Sequence, residues 1–453
     1  MTKWIAALLT GLATLTHTLS QDERLGSEWH VVETLDIARV PADFPVRFCL
    51  LTTDQIQYVA YYDDQRRMTV ASRSLNSNSW TYRVLPSRIE WDSHNYITMI
   101  VDSTNQLHVS GNMHGVPLIY FRTEKSGDIH SLKQWSMTGE RENRVTYPKF
   151  LKDHEGKLVF TYRDGGSGNG VRLYNHYDTG TQTWTRLLDE PLFDGEGQRN
   201  AYPLGPIHGP DGWFHVVWVW RDTPDCATNN NLSYVRSRDL VHWESFRGEQ
   251  VSLPIRIGMR KLQIDPIPSG GGIINGCEKL FIDANNRPVV TYHKSDGKGH
   301  MQIYAARPQG EQWIRHVLTD WKKSVAFSGK GSMGFIGIQI SGLRRLEPGV
   351  LTMTYHHRDY GRGRLFLDED TLRPLNRSIV VSPTIPADLN VLESSFPGME
   401  IQRVEDSHES GDEHLRYILQ WETLGRNHDR PRKPPFPKPS MLRLHTLRLV
   451  PND

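Results

Sequence analysis

One two-part phrase recurs seven times along this 453-residue chain. Each copy opens with an apolar or alternating stretch, often after a Gly/Asn/Asp turn. A second stretch bearing Tyr or a basic residue follows, then a turn and a Trp. The opening stretches are Ile56–Tyr62, Leu107–Asn112, Leu158–Arg163, Phe214–Trp220, Pro288–His293, Val350–Tyr355 and Leu415–Trp421, and their starts lie 51, 51, 56, 74, 62 and 65 residues apart. Trp80, Trp135, Trp184, Trp243 and Trp313 close five of the copies. A repeat of this length marks architectures in which no single unit can bury its own faces. The alternation, with no 3.6-residue periodicity anywhere, makes each unit a small β-sheet. The expected fold class is therefore all-β, a seven-bladed β-propeller of four-stranded blades in a single closed domain. Closure should pair a strand near Trp29–Thr34 with the last strand, Met441–Val450, inside the final blade, after a Pro-rich surface loop at Arg430–Ser440. Two β-sandwich domains are the competing architecture, and no linker divides the repeats to support it.

Charge narrows the partners. Lys plus Arg is 53 and Asp plus Glu is 52, so the net charge is +1. That balance gives no field to draw in nucleic acid or an anionic membrane, and neither is expected as a partner. Residues 1–20 read as a secretory signal peptide. Lys3 supplies the charged start, Trp4–Leu15 the apolar core, and Thr18 and Ser20 the small residues before a cut at Gln21. The propeller is then expected over residues 21–453, in a secreted protein (extracellular or periplasmic) that works as a monomer. Cys49, Cys226 and Cys277 allow at most one internal disulfide and lack the spacing of a zinc site. Asn231-Leu-Ser233 and Asn376-Arg-Ser378 are glycosylation sequons, meaningful in a eukaryotic secretory pathway.

Propellers bind ligands where loops and inner strands converge on the central channel, so polar residues near strand ends deserve scrutiny. The first group is Trp91-Asp-Ser-His94-Asn95-Tyr96 with Gly111-Asn112-Met113-His114. Its two histidines, 20 residues apart, suit consecutive strands at one end of the ring, where imidazoles could move protons near neutral pH. They could equally anchor blade edges. A metal pair is a third reading, weakened because no carboxylate stands out as partner to both. The second group is Arg144-Val-Thr-Tyr147-Pro148 with Tyr162-Arg163 and the glycine-rich run Gly165–Gly170. Arg163 at a strand end could grip a carboxylate with its planar fork, or could be a surface cation beside a turn. The third is Gln198–Pro203 with Trp218-Val-Trp220-Arg221, a sugar-pocket composition whose tryptophans could instead fill the blade core. Asn275, Cys277, His293, Lys294, His356 and His357 form a fourth group that reads mainly as structural. No pair of carboxylates suited to glycoside hydrolysis stands out.

Residues 88–310 resemble the family of secreted BNR-repeat seven-bladed propellers. The resemblance rests on WDSHNYITM, HVSGNMHGVPLIYFRT, TYPKF, YRDGGSGNG, LFDGEGQRNAYPLGP, HVVWVWRDTPDCATN and LSYVRSRDLVHW. The family includes L-rhamnose-α-1,4-D-glucuronate lyases, which uncap arabinogalactan-protein and gum arabic side chains, and is more distantly similar to ulvan lyases. The resemblance implies a β-eliminating polysaccharide lyase with His94, His114, Tyr147 and Arg163 as catalytic residues. Asn95, Asn112, Tyr202, Trp220 and Arg221 would bind substrate, a uronate-containing polysaccharide or glycan. No cofactor is required for that chemistry, metal ligands are not assigned, and a structural Ca²⁺ stays open. A subgroup described as α-L-rhamnosidases uses a single His on the opposite face of the propeller. The corresponding stretch here reads Ala42-Asp43-Phe44-Pro45-Val46, with Phe44 in place of that His, which argues against the hydrolase alternative. A non-catalytic carbohydrate-binding propeller is the other alternative.

Overall fold

The computed structural model describes residues 27–377, 379–406 and 412–451. The leader expected over 1–20, and Ser378 of the second sequon, lie outside the described residues. Seven antiparallel sheets make up the ring. In each, the strand predicted to open the phrase is the second from the channel: Ile56–Tyr62, Leu107–Gly111, Leu158–Gly166, Phe214–Arg221, Pro288–Ser295, Val350–His357 and Leu415–Leu424. Those of the first five blades are almost wholly buried because a blade packs on both faces, so they read as apolar runs rather than strict alternations. Asp102, Asp153 and Asp283 explain the sharp turns that precede three of them. Each carboxylate accepts backbone N–H groups two and four residues on, which holds the hairpin shut.

Ring closure is as expected. Ser27–Val40 runs antiparallel to Ser440–Pro451, with Trp29 opposite Leu449 and Thr34 opposite His445. The last blade thus takes its outermost strand from the start of the chain and its three inner strands from the end. Across the seam, Phe48 of the first blade stacks on Trp421 of the last, centroids 4.5 Å apart. Trp184, Trp243 and Trp313 are buried as blade-packing residues, whereas Trp135 is exposed.

The sixth blade departs from the four-stranded expectation. Its inner edge is broken into Ile338–Ile340 and Arg344–Glu347, which both pair with Val350–His357, and Gly361–Asp368 completes it. No outer fourth strand follows among the described residues. Pro374, Pro383 and Pro386 interrupt the next segment, and proline cannot donate to a strand ladder. The three cysteines are free thiols. Among the described residues no helix is long and apolar enough to cross a membrane.

One placement needs correction. The Ala42–Val46 stretch is on the same end of the ring as His94, not the opposite one. It leads into the inner strand Cys49–Thr52, and Phe44 packs against Trp91, centroids 5.6 Å apart.

Candidate active site

Second strands end, and inner strands begin, at one mouth of the channel, and this topology gathers the candidate residues. His94 stands just before the inner strand Ile97–Val101. His114 opens a short strand, His114–Val116, that leaves the second blade and pairs with the inner edge of the third, bringing His114 opposite Thr146. Tyr147 follows within Val145–Lys152, where the register shifts between Thr146 and Lys149. A bulge of this kind re-aims a side chain. Tyr147 carries φ 57°, a left-handed conformation that costs a bulky residue free energy and is concentrated at functional positions. The Arg172 guanidinium donates to the Tyr147 carbonyl at 3.2 Å and helps hold it there.

The rings form one cluster. His94 and His114 lie 4.5 Å apart between centroids, and Tyr147 is 6.0 Å from the first and 6.4 Å from the second. Beneath Tyr147, the Arg163 guanidinium carbon is 4.8 Å from the ring centroid. Arg163 is 3% exposed; one nitrogen donates to Thr146 Oγ1 at 3.1 Å, while Nε and Nη1 are buried without a protein partner. Gly170 makes room for it, since a Cβ there would sit 3.0 Å from the Arg163 side chain and 2.7 Å from Asn200 Oδ1.

Two carboxylates complete the cluster. Asp92 Oδ1 accepts from His94 Nδ1 at 2.8 Å, and Asp92 Oδ2 from His114 Nδ1 at 2.5 Å. Asp429, from the loop before the last strand, lies 3.1 Å from His94 Nδ1 and also accepts from the Ser93 hydroxyl. The expectation that no carboxylate accompanies both histidines is therefore wrong. Asp92 was visible two residues before His94, but only the fold shows it reaching His114. Asp429 has no local sequence signal at all. Asp92, His94 and His114 offer ligand atoms within 4.8 Å of one another, a set that could hold a metal ion. In the structure described, hydrogen bonds to Asp92 occupy both Nδ1 atoms.

Electrostatics separates the roles. Burial alone would lower the pKa of His94, but its bonds to Asp429 and Asp92 win and raise it to about 9, so His94 is an imidazolium at neutral pH. Burial would raise Asp92, yet the hydrogen bonds from His114 and His94 hold it well below the usual carboxylate range. Tyr147 is pushed up, first by burial and then by Tyr202, against the pull of Arg163 and Arg221. Deeper in the channel, burial and then Arg172 and Arg47 bring Lys149 down to about 8. The wall below Tyr147 is rich in cations.

The remaining candidates fall into three groups. Tyr202 joins the site: its ring is 6.1 Å from Tyr147 and its hydroxyl is 2.8 Å from Ser167 Oγ. Arg221 lies under Tyr202, 5.5 Å from the ring centroid, but donates to the carbonyls of Thr223 and Pro224, so it braces the wall. The Asn112 amide is held by Ser87 and the Arg88 carbonyl, and the Asn95 carbonyl accepts from Tyr62, which leaves both as parts of the rim. Trp220 is not at the site. It is 2% exposed and packs with Trp218 and Phe193 in the core between the third and fourth blades.

Comparison with known proteins adds to this geometry. A short-isoform ulvan lyase of Alteromonas sp. (strain LOR) is 34% identical over 148 residues, 29% of this chain and 28% of that protein. A long-isoform ulvan lyase of Pseudoalteromonas sp. (strain PLSV) is 37% identical over 148 residues, 29% of this chain and 15% of that protein. The chain thus spans less than a third of the length of these curated relatives. Among solved structures, polysaccharide lyase Uly1 superposes with a TM-score of 0.61 at 12% identity, covering 93% of this chain and 100% of that one. A family PL25 ulvan lyase bound to -[GlcA(1-4)Rha3S]- gives 0.57 at 12% identity, covering 86% and 93%. At such identities the likeness speaks to the fold alone. A family model described as a BNR repeat-containing family member matches residues 56–321, more than half of the chain. With seven sheets closed into a ring and that match over its first five blades, the chain is a β-propeller that belongs to the BNR repeat-containing family.

Proposed function

We propose that this protein is a secreted polysaccharide lyase that cleaves a rhamnose–glucuronate linkage by β-elimination, on arabinogalactan-type or related glycans. The observation that carries the reading is Arg163. A guanidinium 3% exposed, with two nitrogens unpartnered, sits beneath a strained tyrosine whose ring is 6.0 and 6.4 Å from two histidines. Unpartnered buried donors are costly, and a planar anion entering beside Tyr147 removes that cost. A uronate carboxylate is such an anion. The ulvan lyases among the relatives, one of them bound to a glucuronate–rhamnose unit, support the same substrate class.

The chemistry then follows from the side chains. The C5 proton of a uronate is acidic only when its carboxylate charge is offset, and Arg163 offsets it most as enolate-like charge builds up. A neutral lone pair must take that proton. His114, donating Nδ1–H to Asp92, presents Nε2 as an acceptor. The C5–H electrons form the C4=C5 double bond, the bond from C4 to oxygen breaks, and the departing oxygen needs a proton. His94, charged at neutral pH, and the Tyr147 phenol, kept protonated by burial, are the donors on that side. In glucuronate the C5–H and the 4-oxygen lie on the same side, which fits donors and acceptor packed within one ring cluster. Tyr202 and the Arg221-braced wall orient the sugar. No step calls for a cofactor.

Incubation with gum arabic, reading free rhamnose and ultraviolet absorbance together, tests the reading. A lyase releases rhamnose and leaves an unsaturated, absorbing uronate. Rhamnose without absorbance would make the protein a hydrolase, and neither signal would make it a binding protein.

A further inference from the structure

Beyond the His–Tyr–Arg cluster, the same mouth of the channel carries an open groove of about 670 Å³. Phe327, Met333, Phe335, Ile336, Arg358 and His428 line it. Phe335 is 46% exposed, and its ring lies 4.2 Å from that of His356 and within 9° of parallel. An aromatic ring supported from behind and bare in front is a platform for the C–H face of a sugar. His356 closes the second strand of the sixth blade, as Arg163 sits near the end of that strand in the third, so both face the same mouth.

The groove is linked to the cluster through the loop that forms it. Its loop is pinned at one rim, where Gly329 N donates to Asp225 Oδ1 at 2.9 Å and the Gly329 carbonyl accepts from Cys226 N at 2.8 Å. At the other rim, Ser332 N donates to Asp429 Oδ2 at 2.7 Å, the oxygen that also faces His94 at 3.1 Å. One carboxylate therefore forms the wall between groove and catalytic imidazole. The loop lies beyond residues 56–321, the segment that matches the family model.

We propose that this groove is a sugar subsite, in which Phe335 stacks against a pyranose ring of the same glycan beyond the linkage being cleaved. The assignment rests on the lyase reading above. A single bare ring flanked by an arginine and glycine backbone suits a sugar, whose faces are apolar and whose edges are polar. It makes the enzyme read several units of glycan rather than the terminal pair alone.

Rhamnose–glucuronate oligosaccharides of increasing length, assayed by ultraviolet absorbance with wild type, Phe335→Ala and Phe335→Trp, provide the test. In the wild type, kcat/KM should rise with length. Phe335→Ala should lose about tenfold on the longer chains and nothing on the disaccharide, since one aromatic contact is worth roughly a factor of ten. Phe335→Trp should restore the rise. If Phe335→Ala behaves like wild type at every length, or loses equally at every length, the subsite is wrong while the lyase stands. If the wild type forms no unsaturated product at any length, the lyase reading fails and the subsite assignment falls with it.

Discussion

Two sets of histidines in this ring use the same partners to opposite ends. His108 and His215 occupy the second position of the second strand in the second and fourth blades. Each is sealed in a repeated triad. His108 Nδ1 meets Tyr120 and Nε2 meets Asp102, and His215 Nδ1 meets Tyr234 and Nε2 meets Asp211. Both ring nitrogens are used within the protein. At the channel mouth, His94 and His114 spend only Nδ1, on Asp92 and, for His94, Asp429. Burial and the charge count set the difference in proton affinity. For His108, burial outweighs its single carboxylate and the pKa falls. For His94, two carboxylates outweigh burial and it rises to about 9. An Asp–His contact is thus no sign of catalysis by itself; what matters is whether a nitrogen is left over and how much charge surrounds it.

The sharpest way to break this comparison is to delete the rings one at a time. His94→Ala or His114→Ala should each lower kcat per folded molecule by about 10²–10⁴, the range of a lost proton-transfer group. If either variant keeps full turnover, the mouth pair is structural like the sealed pair. Arg163→Lys comes next, with a loss on the order of 10²–10³ in kcat and a smaller change in KM, because lysine keeps the charge but not the fork. An equal loss in binding would move Arg163 from the reaction to mere capture.

His108→Ala should show the reverse pattern. Removing a ring whose two partners are buried leaves Tyr120 and Asp102 unsatisfied beside a cavity, at a cost of about 2–4 kcal/mol in stability. Activity per folded molecule should be unchanged. A drop in kcat without destabilisation would mean that the sealed triads communicate with the mouth.

The smallest effect is in pH. His94 has a folded pKa of about 9, above the 6.5 of a free imidazole, so its contribution to stability is complete below about 6.5 and is lost as pH rises through about 9. Turnover that needs its proton should fall over the same alkaline limb. Asp429→Asn removes the partner that raises His94 most, so that limb should move to lower pH. An unchanged kcat–pH profile would show that Asp429 does not govern the proton.

Much of this molecule could be read before folding. The seven opening strands match within a few residues, because apolar runs between Gly/Asn/Asp turns leave few alternatives once a repeat is seen. His94, His114, Tyr147, Arg163 and Tyr202 were named together through the family resemblance of their motifs, since spacing alone left a structural role open for each. What stayed hidden depends on contacts remote along the chain. Asp429 is 335 residues from His94, and its role exists only because the ring closes. Trp220 was misplaced because composition does not say whether an aromatic packs between blades or reaches the channel mouth. Blade six lost its outer strand to prolines that a repeat count ignores.

The closing strand has a consequence for how the molecule comes into being. Asp429 lies between the last two strands, so the acid that charges His94 reaches its post only as the far end of the chain docks against the beginning. A partly made or clipped copy would be an open arc without Asp429 beside His94. Such a copy would hold His94 against Asp92 alone, so completion of the ring sets the proton affinity at the channel mouth.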